Sequence, residues 1–418
     1  METTIALTMK EERRAEVIQR IFRGEMTMAE AAMVLGVTER HSYRIKARMR
    51  KEGLRGVIHG NRGRHSDRKL PAQIERRIVE LARGKYRGFN DCHFTEKLTE
   101  QEGMEVGRET VRQILRSKGI ASPRKRRAPK HRSRRERRAA EGMMLQVDGS
   151  PHDWLEGRGP YLTLVGAIDD ATSKVPKAFF EPTETSWAYF HLFSDIFKRK
   201  GLPQSVYADR HSIFWTERQP TTEEQLEDNK PTTQVGRALE ELAVTLIPAG
   251  SPQAKGRIER LWGTFQDRLV SELRLTGAKT KSEAQAVLQR FLPHYNRKFA
   301  KAAAQAKPAW REVDCQRLEQ ALCFKYQRTV AKDNTVGFKG SVFQIPKRSP
   351  LLSYSGKKVR VHVLLDGSVE IFYKGERIAK FDSKTAHTIG LYRTNGKREV
   401  SSYGPETTHP VRLYELPP

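Results

Sequence analysis

Met143-Met144-Leu145-Gln146-Val147-Asp148 is a mostly apolar run of strand length that ends at a carboxylate. Such a run predicts a short buried β-strand. Strands and helices alternate along the chain after it, and this order predicts a mixed α/β sheet. The further predicted strands span residues 161–168, 175–180, 205–208 and 244–247, and the predicted helices span residues 186–200 and 234–242.

The charge of the chain indicates its class of partner. The 418 residues include 77 Lys or Arg against 50 Asp or Glu, which gives a net charge of +27. Residues 1–140 hold 36 of the cations and 18 of the acids. A globular chain tolerates such self-repulsion most readily beside a polyanion. We therefore expect a nucleic-acid partner that docks mainly on the N-terminal third.

Cysteine usage and hydropathy argue against several other classes. The three cysteines, Cys92, Cys315 and Cys323, form no Cys-x-x-Cys pair and no metal-ligand spacing with His, which disfavours disulfide scaffolds and zinc fingers. No apolar run approaches the roughly 18 residues of a membrane span. We expect a soluble, intracellular protein with no membrane partner.

Helical spacing of apolar residues predicts three helices in a first domain, residues 1–53. Gly36 separates the second helix from a cationic third helix, which is typical of a helix-turn-helix. An ordinary three-helix bundle is the alternative, although a plain solvated face more often mixes both signs of charge. The expected DNA contacts on the third helix are Arg40, Tyr43, Arg44 and Lys46.

Basic segments flank a second helical domain. Residues 54–70, rich in Gly and Arg, fit a linker that lies in a nucleic-acid groove, or a plain flexible loop. Residues 71–121 repeat the three-helix pattern and predict a second helix-turn-helix domain. Residues 122–140 form a basic connector, for which a nuclear localisation signal is the competing interpretation. The expected DNA contacts in these segments are Arg62, Arg64, Arg108 and Arg112.

The C-terminal part of the chain is predicted to hold the α/β core, residues 141–300, and a helical connector, residues 301–328. Short alternating runs separated by Gly and Asp-Gly turns then predict a small all-β barrel over residues 329–380, before a tail, residues 381–418. The fold class is therefore multidomain, with all-α helix-turn-helix units, a central α/β mixed sheet and a small all-β barrel.

Three carboxylates, Asp148, Asp209 and Glu259, end elements of the predicted core. Cutting a phosphodiester at neutral pH requires activation of a weak oxygen nucleophile and neutralisation of charge on the leaving oxygen, which two metal ions can do together. Mg²⁺ and Mn²⁺ prefer oxygen ligands. We expect these acids to be catalytic ligands of two Mg²⁺ or Mn²⁺ ions per active site, although a strand-end Asp is commonly a turn former.

The segment around the third acid reads Ser251-Pro252-Gln253-Ala254-Lys255-Gly256-Arg257-Ile258-Glu259-Arg260. Ser is a good helix cap and Pro fits the first turn, so Lys255 and Glu259 lie one turn apart on one face. We expect Lys255 and Arg257 to contact DNA. A surface ion pair would account for Lys255 and Glu259 but not for Gly256. Close approach of a DNA backbone would account for a glycine at this place in a helix.

The segment from Ser251 to Arg260 belongs to a set of motifs that resembles the core of insertion-sequence transposases related to retroviral integrases, specifically the ISNCY group. The likeness covers nearly the whole chain, and this segment is its most specific part. The other motifs are Gln146-Val147-Asp148-Gly149-Ser150, Leu164-Val165-Gly166-Ala167-Ile168-Asp169-Asp170-Ala171-Thr172-Ser173 and Tyr207-Ala208-Asp209.

This resemblance implies an RNase H-like core, with Asp148 and Asp209 on adjacent strands and Glu259 on a helix. It implies DNA integration and recombination: cleavage by water, then strand transfer by the liberated 3′-hydroxyl. The partners it implies are double-stranded transposon ends, target DNA and further copies of the chain in a homo-oligomeric synaptic complex. The polar stretch 216–231 lengthens the interval before Glu259 and is expected to be a surface insertion. No His-His-Cys-Cys zinc unit of the retroviral type occurs, so end recognition should rest on the helix-turn-helix units.

Two neighbouring acids and a second function compete with this interpretation. Asp169 and Asp170 are rival metal ligands, but the resemblance places them at a turn, where Asp commonly bonds its own backbone. Trp262 could stack on a flipped base, but aromatics beside apolar neighbours are usually core.

The alternative function is a catalytically inactive, transposase-derived DNA-binding regulator. All three acids and Lys255 are present, which favours an active transposase over the regulator.

Overall fold

The computed structural model describes residues 6–62, 70–123, 128, 135–220, 231–249, 256–347 and 353–382. The chain divides into two compact units, Met1–Arg77 and Ile78–Pro418. The described part of the first unit is helical, whereas the second unit combines helices with β-sheets.

The first unit contains helices at the positions that apolar spacing predicts, namely α1 (Met9–Phe22), α2 (Met28–Leu35) and α3 (Glu39–Glu52). Thr27 and Thr38 cap α2 and α3, because each side-chain oxygen accepts a backbone N–H of the first turn. Gly36 ends α2 with a positive φ of 63°, which permits the sharp turn into α3. The apolar faces of the helices meet in one core around Ile18 and Ile45.

The predicted linker after α3 begins with ordered structure. Gly53–Val57 forms a 3-10 helix, η1, and the side chain of Val57 is fully buried in the core of the first unit. Gly56 lies so close to α3 that a Cβ there would meet the Arg48 backbone at 2.5 Å. The first residues of the predicted linker are therefore helical and packed, because the buried Val57 side chain holds them to the core of the first unit. Residues 63–69 lie outside the described residues.

The helices predicted within residues 71–121 are confirmed. They are α4 (Ala72–Arg83), which crosses the boundary between the two units, α5 (Asp91–Glu102) and α6 (Arg108–Ser117). Asn90 caps α5 by accepting the His93 N–H at 2.8 Å, and Gly103 ends the helix with a φ of 65°. Within the second unit, Phe94 of α5 packs against the buried ring of Tyr86.

A five-stranded mixed sheet forms the centre of the second unit. Its strands are β1 (Met144–His152), β2 (Leu162–Asp169), β3 (Lys177–Glu181), β4 (Ser205–Ala208) and β5 (Thr245–Pro248). They lie in the order β3-β2-β1-β4-β5; β1, β2 and β3 pair antiparallel, whereas β4 runs parallel to both β1 and β5. This arrangement confirms the mixed α/β sheet predicted from the alternation of strands and helices.

Helices cover both faces of this sheet. They are α7 (Ser186–Lys200), α8 (Gln234–Glu241), α9 (Gly256–Leu275), α10 (Lys281–Phe299) and α11 (Cys315–Ala321). One apolar core joins α7, α8 and α11 to β1 and β4, and another joins α9 and α10 to β2 and β3. Strand β2 is buried along its whole length because it contributes side chains to both cores. No helix in the described ranges is long and apolar enough to cross a membrane.

The C-terminal strands pack around a third apolar core that includes Phe343, Val361 and Ile371. They form an antiparallel sheet of order β11-β10-β9-β6 and a β7-β8 hairpin. The strand bounds are β6 (Phe324–Thr329), β7 (Thr335–Phe338), β8 (Ser341–Gln344), β9 (Lys358–Val363), β10 (Val369–Tyr373) and β11 (Glu376–Phe381). The predicted boundary at residue 329 is too late, because β6 pairs with β9 and belongs to this sheet. Residues 383–418 lie outside the described residues.

Ion pairs join α5 to the helix that carries Glu259. Arg268 of α9 donates to both carboxylate oxygens of Glu96 at 2.7 and 3.0 Å, and Lys298 of α10 pairs with the same carboxylate. Burial raises the pKa of Glu96, but hydrogen bonds and charges from Arg268 and Lys298 outweigh it and lower the pKa to about 2. A second contact between α5 and α9 is the ion pair of Lys97 with Glu272, whose carboxylate also forms a hydrogen bond with His93. These contacts hold α5 against helices α9 and α10 of the α/β core.

Candidate active site

The register of the sheet brings the first two predicted acids to adjacent positions. β1 and β4 run parallel, with Gln146 opposite Tyr207. Asp148 lies two residues beyond Gln146, and Asp209 lies two residues beyond Tyr207, directly after β4 ends. Because side chains alternate along a strand, two-residue steps keep the same face. This step puts Asp148 on the same face of β1 as Gln146, and Asp209 follows the neighbouring strand β4.

Glu259 lies on an exposed part of α9, in the first described turn of that helix. One turn further along, the buried Trp262 donates its indole N–H to Oδ2 of Asp148 at 3.0 Å. Gly166 of β2 makes room for the indole, since a Cβ there would meet the ring at 3.0 Å. The expectation that Trp262 is a core residue is confirmed, and its hydrogen bond also ties the helix of Glu259 to the strand of Asp148.

Glu184 is a further carboxylate at this site that the sequence analysis missed. Its carboxylate accepts a hydrogen bond from the Tyr189 hydroxyl and lies against Gly149, where a Cβ would meet Oε2 at 2.5 Å. Burial raises the pKa of Glu184, the Tyr189 hydrogen bond lowers it, and the negative charges of Asp148 and Asp209 raise it further. No periodicity or turn signal marks this residue, which follows β3. The site thus concentrates negative charge, which favours bound cations.

The loop after β4 orients Asp209. The His211 backbone N–H donates to Oδ1 of Asp209 at 3.1 Å. Ile213 and Phe214 then bury their side chains, and the Phe214 ring packs edge-on against Tyr189 with 4.5 Å between ring centroids. The buried side chains hold the loop, so the direction of the carboxylate is set by the core beneath it.

Asp169 and Asp170 have different roles. Asp169 forms the turn expected after β2, accepting the N–H and the hydroxyl of Thr172, both at 2.7 Å. Asp170 also lies in this turn, as expected, but its fully buried carboxylate binds groups far away in the sequence instead of its own backbone. The basic connector and α9 bring cations to this carboxylate, and a buried carboxylate requires such partners. Its side-chain partners are Arg135, Gln146 and Arg257.

Arg257 has partners other than the predicted DNA. Its side chain is 9% exposed and pairs with Asp170 at 2.8 Å, while a second guanidinium nitrogen donates to the Arg135 carbonyl at 3.1 Å. Burial lowers the pKa of Arg257, and the charge of Asp170 opposes that effect. A guanidinium in this position neutralises an internal acid, so the structure does not support the predicted phosphate contact.

Carboxylate oxygens are the ligands that Mg²⁺ and Mn²⁺ prefer, so Asp148, Asp209 and Glu259 suit these ions by their chemistry. Within the ranges that the structure describes, however, no group of three or more His, Cys, Asp or Glu residues is arranged to hold a metal ion. Lys255 lies outside the described residues, so its place beside Glu259 stays a prediction. Gly256 has open space where a Cβ would stand, which leaves room for a close neighbour.

Helix α3 presents an exposed polar face in the first unit. Arg40, Tyr43 and Arg44 are exposed, and their spacing of three and four residues puts them on one side of the helix. Lys46 differs, because it is half-buried and its ammonium lies 5.8 Å from the centroid of the Phe22 ring. Three of the four residues predicted on α3 therefore share one accessible face.

The other arginines predicted to contact DNA have partners within the protein. The Arg62 and Arg112 side chains are 41% and 49% exposed, so each keeps part of its surface open. Arg64 lies outside the described residues. The pairs are Arg62 with Glu11, Arg112 with Glu109, and Arg108 with the sulfur of Cys92.

The chain is similar to several known proteins. Residues 14–76 match the model of the winged helix-turn helix family, which extends beyond the predicted domain end at residue 53. The chain is 33% identical over 389 residues to "Putative transposase y4bF" of Sinorhizobium fredii, covering 92% of this chain and 84% of the relative. It is 29% identical over 457 residues to the transposase for insertion sequence IS1202 of Streptococcus pneumoniae, covering 97% and 94%.

Two solved structures are also similar. A simian T-cell lymphotropic virus intasome in complex with PP2A regulatory subunit B56 gamma matches with a TM-score of 0.31 at 12% identity, over 74% of this chain and 97% of that chain. The catalytic core domain of BIV integrase matches with a TM-score of 0.26 at 18% identity, over 38% and 88%.

A helix-turn-helix region and similarity to two transposases over most of the chain define its class, the DNA transposases. The chain belongs to the transposase family, as 33% identity across most of both chains shows. The insertion-sequence transposase family is thereby confirmed, whereas the ISNCY group stays a prediction.

Proposed function

We propose that this transposase binds the ends of its insertion sequence and catalyses metal-dependent cleavage and strand transfer with Asp148, Asp209 and Glu259. The hydrogen bond from Trp262 to Asp148 carries the proposal, because it joins the strand of the first acid to the helix of the third. Asp209 directly follows β4, the strand that pairs with the strand of Asp148. The three acids thus belong to elements that meet at one face of the sheet.

Asp148, Asp209 and Glu259 form the proposed ligand set for two Mg²⁺ or Mn²⁺ ions. When bound, such ions activate an oxygen nucleophile and neutralise charge on the leaving oxygen. The protein orients the ligands: Trp262 holds Asp148, and the His211 N–H holds Asp209. A ligand held before the ions arrive loses less entropy on binding them.

Trp262→Phe removes the hydrogen bond to Asp148 while an aromatic ring remains. A hydrogen bond to a charged group contributes about 1.5 to 3 kcal/mol, so we expect cleavage to slow by about tenfold or more. The affinity for end DNA should not change. Single-turnover cleavage of end DNA, beside a gel-shift titration, measures both quantities.

Trp154→Phe is the matched control for this change. Trp154 is fully buried in the same core, and its indole N–H donates to the Ser150 carbonyl at 3.1 Å instead of to an acid. We expect this variant to cleave at nearly the normal rate. Equal losses of activity in both variants would mean that Trp262 only packs the core.

Recognition of the transposon end is assigned to the exposed face of α3 in the first unit. If Arg44 contacts a base edge, Arg44→Ala should weaken binding to end DNA by about 1 to 3 kcal/mol, and binding to unrelated DNA much less. The control is Arg23→Ala, which removes a cation 66% exposed at the end of α1. Fluorescence anisotropy on both DNAs gives the comparison. Equal weakening on both DNAs would assign Arg44 to a phosphate and overturn base recognition.

An inactive DNA-binding regulator is the second candidate function. The observation that favours it is the lack of a ready metal-ligand group among the described residues. Incubation of the full chain with Mg²⁺ and DNA carrying the element's own ends separates the candidates. Joined products support the transposase, binding without products supports the regulator, and nicking without joining indicates a nuclease.

We infer that this chain acts in the bacterial cytoplasm. Its inferred partners there are double-stranded transposon ends, target DNA and further copies of the chain. Joining two ends to one target requires that several copies meet on DNA. Light scattering of the chain with end DNA tests this: the mass of the complex should correspond to more than one copy of the chain.

A further inference from the structure

We propose that Asp170 is a positioning residue for Glu259 and acts on the start of α9 through Gln146 and Arg257. The inference rests on the proposed role of Glu259, but it concerns an acid outside the proposed ligand set. Asp170 lies directly after β2 and is fully buried. A buried carboxylate with this many partners connects parts of the chain that are distant in the sequence.

Both carboxylate oxygens of Asp170 are engaged by protein donors. Oδ1 accepts hydrogen bonds from the Gln146 amide and from the Arg257 guanidinium, each at 2.8 Å. Oδ2 accepts the backbone N–H of Arg138 at 2.8 Å. Because these bonds occupy both oxygens, Asp170 acts as an acceptor for the protein and not as a metal ligand.

Gln146 extends this contact to the start of α9. Its side-chain oxygen accepts the backbone N–H of Ile258 at 3.3 Å, and Ile258 directly precedes Glu259. An N–H in the first turn of a helix has no partner within the helix, so an external acceptor fixes where the turn lies. Gln146 is also buried on β1, two residues before Asp148. One amide side chain thus holds the first turn of α9 against the strand of Asp148.

The basic connector completes the arrangement around Asp170. Arg135 forms an ion pair with the Asp170 carboxylate. Arg137 donates to the carbonyls of Asp170 and Ala171 at 2.9 and 3.0 Å. The negative charge of Asp170 is needed because two guanidinium groups, those of Arg135 and Arg257, converge on it. An uncharged side chain would leave them to repel each other, and Arg257 is part of the first turn of α9.

Hydrogen–deuterium exchange on the full chain tests this inference. Asp170→Asn removes the charge, and Gln146→Met removes both amide hydrogen bonds while keeping the length of the side chain. Each variant should speed amide exchange in residues 256–263 by about tenfold, because the first turn opens more often. Exchange in α7 and the melting temperature should change little. In both variants, half-maximal cleavage should require a higher Mn²⁺ concentration.

Asp195→Asn is the matched control, because Asp195 on α7 also pairs with two cations, Lys177 and Arg199. In this variant, amide hydrogen exchange in residues 256–263 should equal that of the wild type. The inference is overturned if Gln146→Met leaves exchange in residues 256–263 unchanged, or if exchange rises equally throughout the second unit. If Asp170→Asn does not fold, Gln146→Met alone decides.

Glu259→Gln separates this inference from the proposed function. The variant should lose cleavage while exchange in residues 256–263 stays normal, since it leaves Gln146 and Asp170 untouched. Normal cleavage by Glu259→Gln would refute the proposed ligand role. The exchange measurements on Asp170→Asn and Gln146→Met would still show whether Asp170 holds the start of α9.

Discussion

Asp148→Asn, Asp209→Asn and Glu259→Gln should each abolish cleavage and strand transfer while the affinity for end DNA stays unchanged. Each substitution removes one ligand charge from ions that stabilise the transition state by several kcal/mol, and a loss of about 4 kcal/mol slows a reaction about a thousandfold. End binding should survive because the exposed face of α3 belongs to the other compact unit. Gel-shift affinity beside cleavage yield measures both effects.

Asp153→Asn is the control for these variants. Asp153 is an exposed acid just after β1, and its carboxylate accepts the Gly157 N–H at 3.1 Å. This variant should cleave and join normally. Ca²⁺ in place of Mg²⁺ should permit binding of end DNA without turnover. Normal cleavage by any one of the three acid variants removes that residue from the proposed set. Loss of binding in all three would mean that these acids shape the fold and not the reaction.

Glu96→Gln should lower the free energy of unfolding of the second unit by about 3 kcal/mol, because it leaves the buried Arg268 without its bidentate partner. Arg268 is 7% exposed, and Lys298 stands beside the same carboxylate. Urea unfolding followed by tryptophan fluorescence measures the change. Glu109→Gln is the control: Glu109 pairs with Arg112 while 57% exposed, so its loss should change the free energy of unfolding far less than Glu96→Gln does.

The pH dependence of this effect has a definite sign. The pKa of Glu96 lies at about 2 in the folded chain against an ordinary value of 4.5. A lowered pKa stabilises the folded state above the ordinary value, and the contribution is lost as the pH falls through the folded value. The difference in free energy of unfolding between wild type and Glu96→Gln should therefore be largest above pH 4.5 and shrink as the pH falls towards 2. A difference that stays constant over this range would contradict the assignment.

Periodicity predicted the elements of the fold because it reports which side chains are buried. The helical spacing in α7 and the strand signals around Asp148 and Asp209 need only local sequence, and the structure has elements at these places. Two boundaries were missed for a physical reason. Val57 belongs to a stretch with too few apolar residues to show a period, and β6 gains its strand partner from β9, which is distant in the sequence.

The contacts that organise the candidate site could not be predicted in the same way. Trp262 is identified as core by its apolar neighbours, but its hydrogen bond to Asp148 depends on how α9 crosses β1. Asp170 resembles a turn residue in sequence, whereas its partners Arg257 and Arg135 come from segments on either side of it in the chain. Such side-chain networks depend on the packing of whole elements, which no local pattern records.

Strand transfer from a synthetic transposon end is the direct test that this chain is an active transposase. The full chain is incubated with Mg²⁺, target DNA and an end duplex that carries either a 3′-hydroxyl or a 3′-deoxy terminus. We expect joined product from the 3′-hydroxyl end only, and none with Asp209→Asn. Absence of joined product with the wild-type chain and the 3′-hydroxyl end, or equal joining of the 3′-deoxy end, would contradict it.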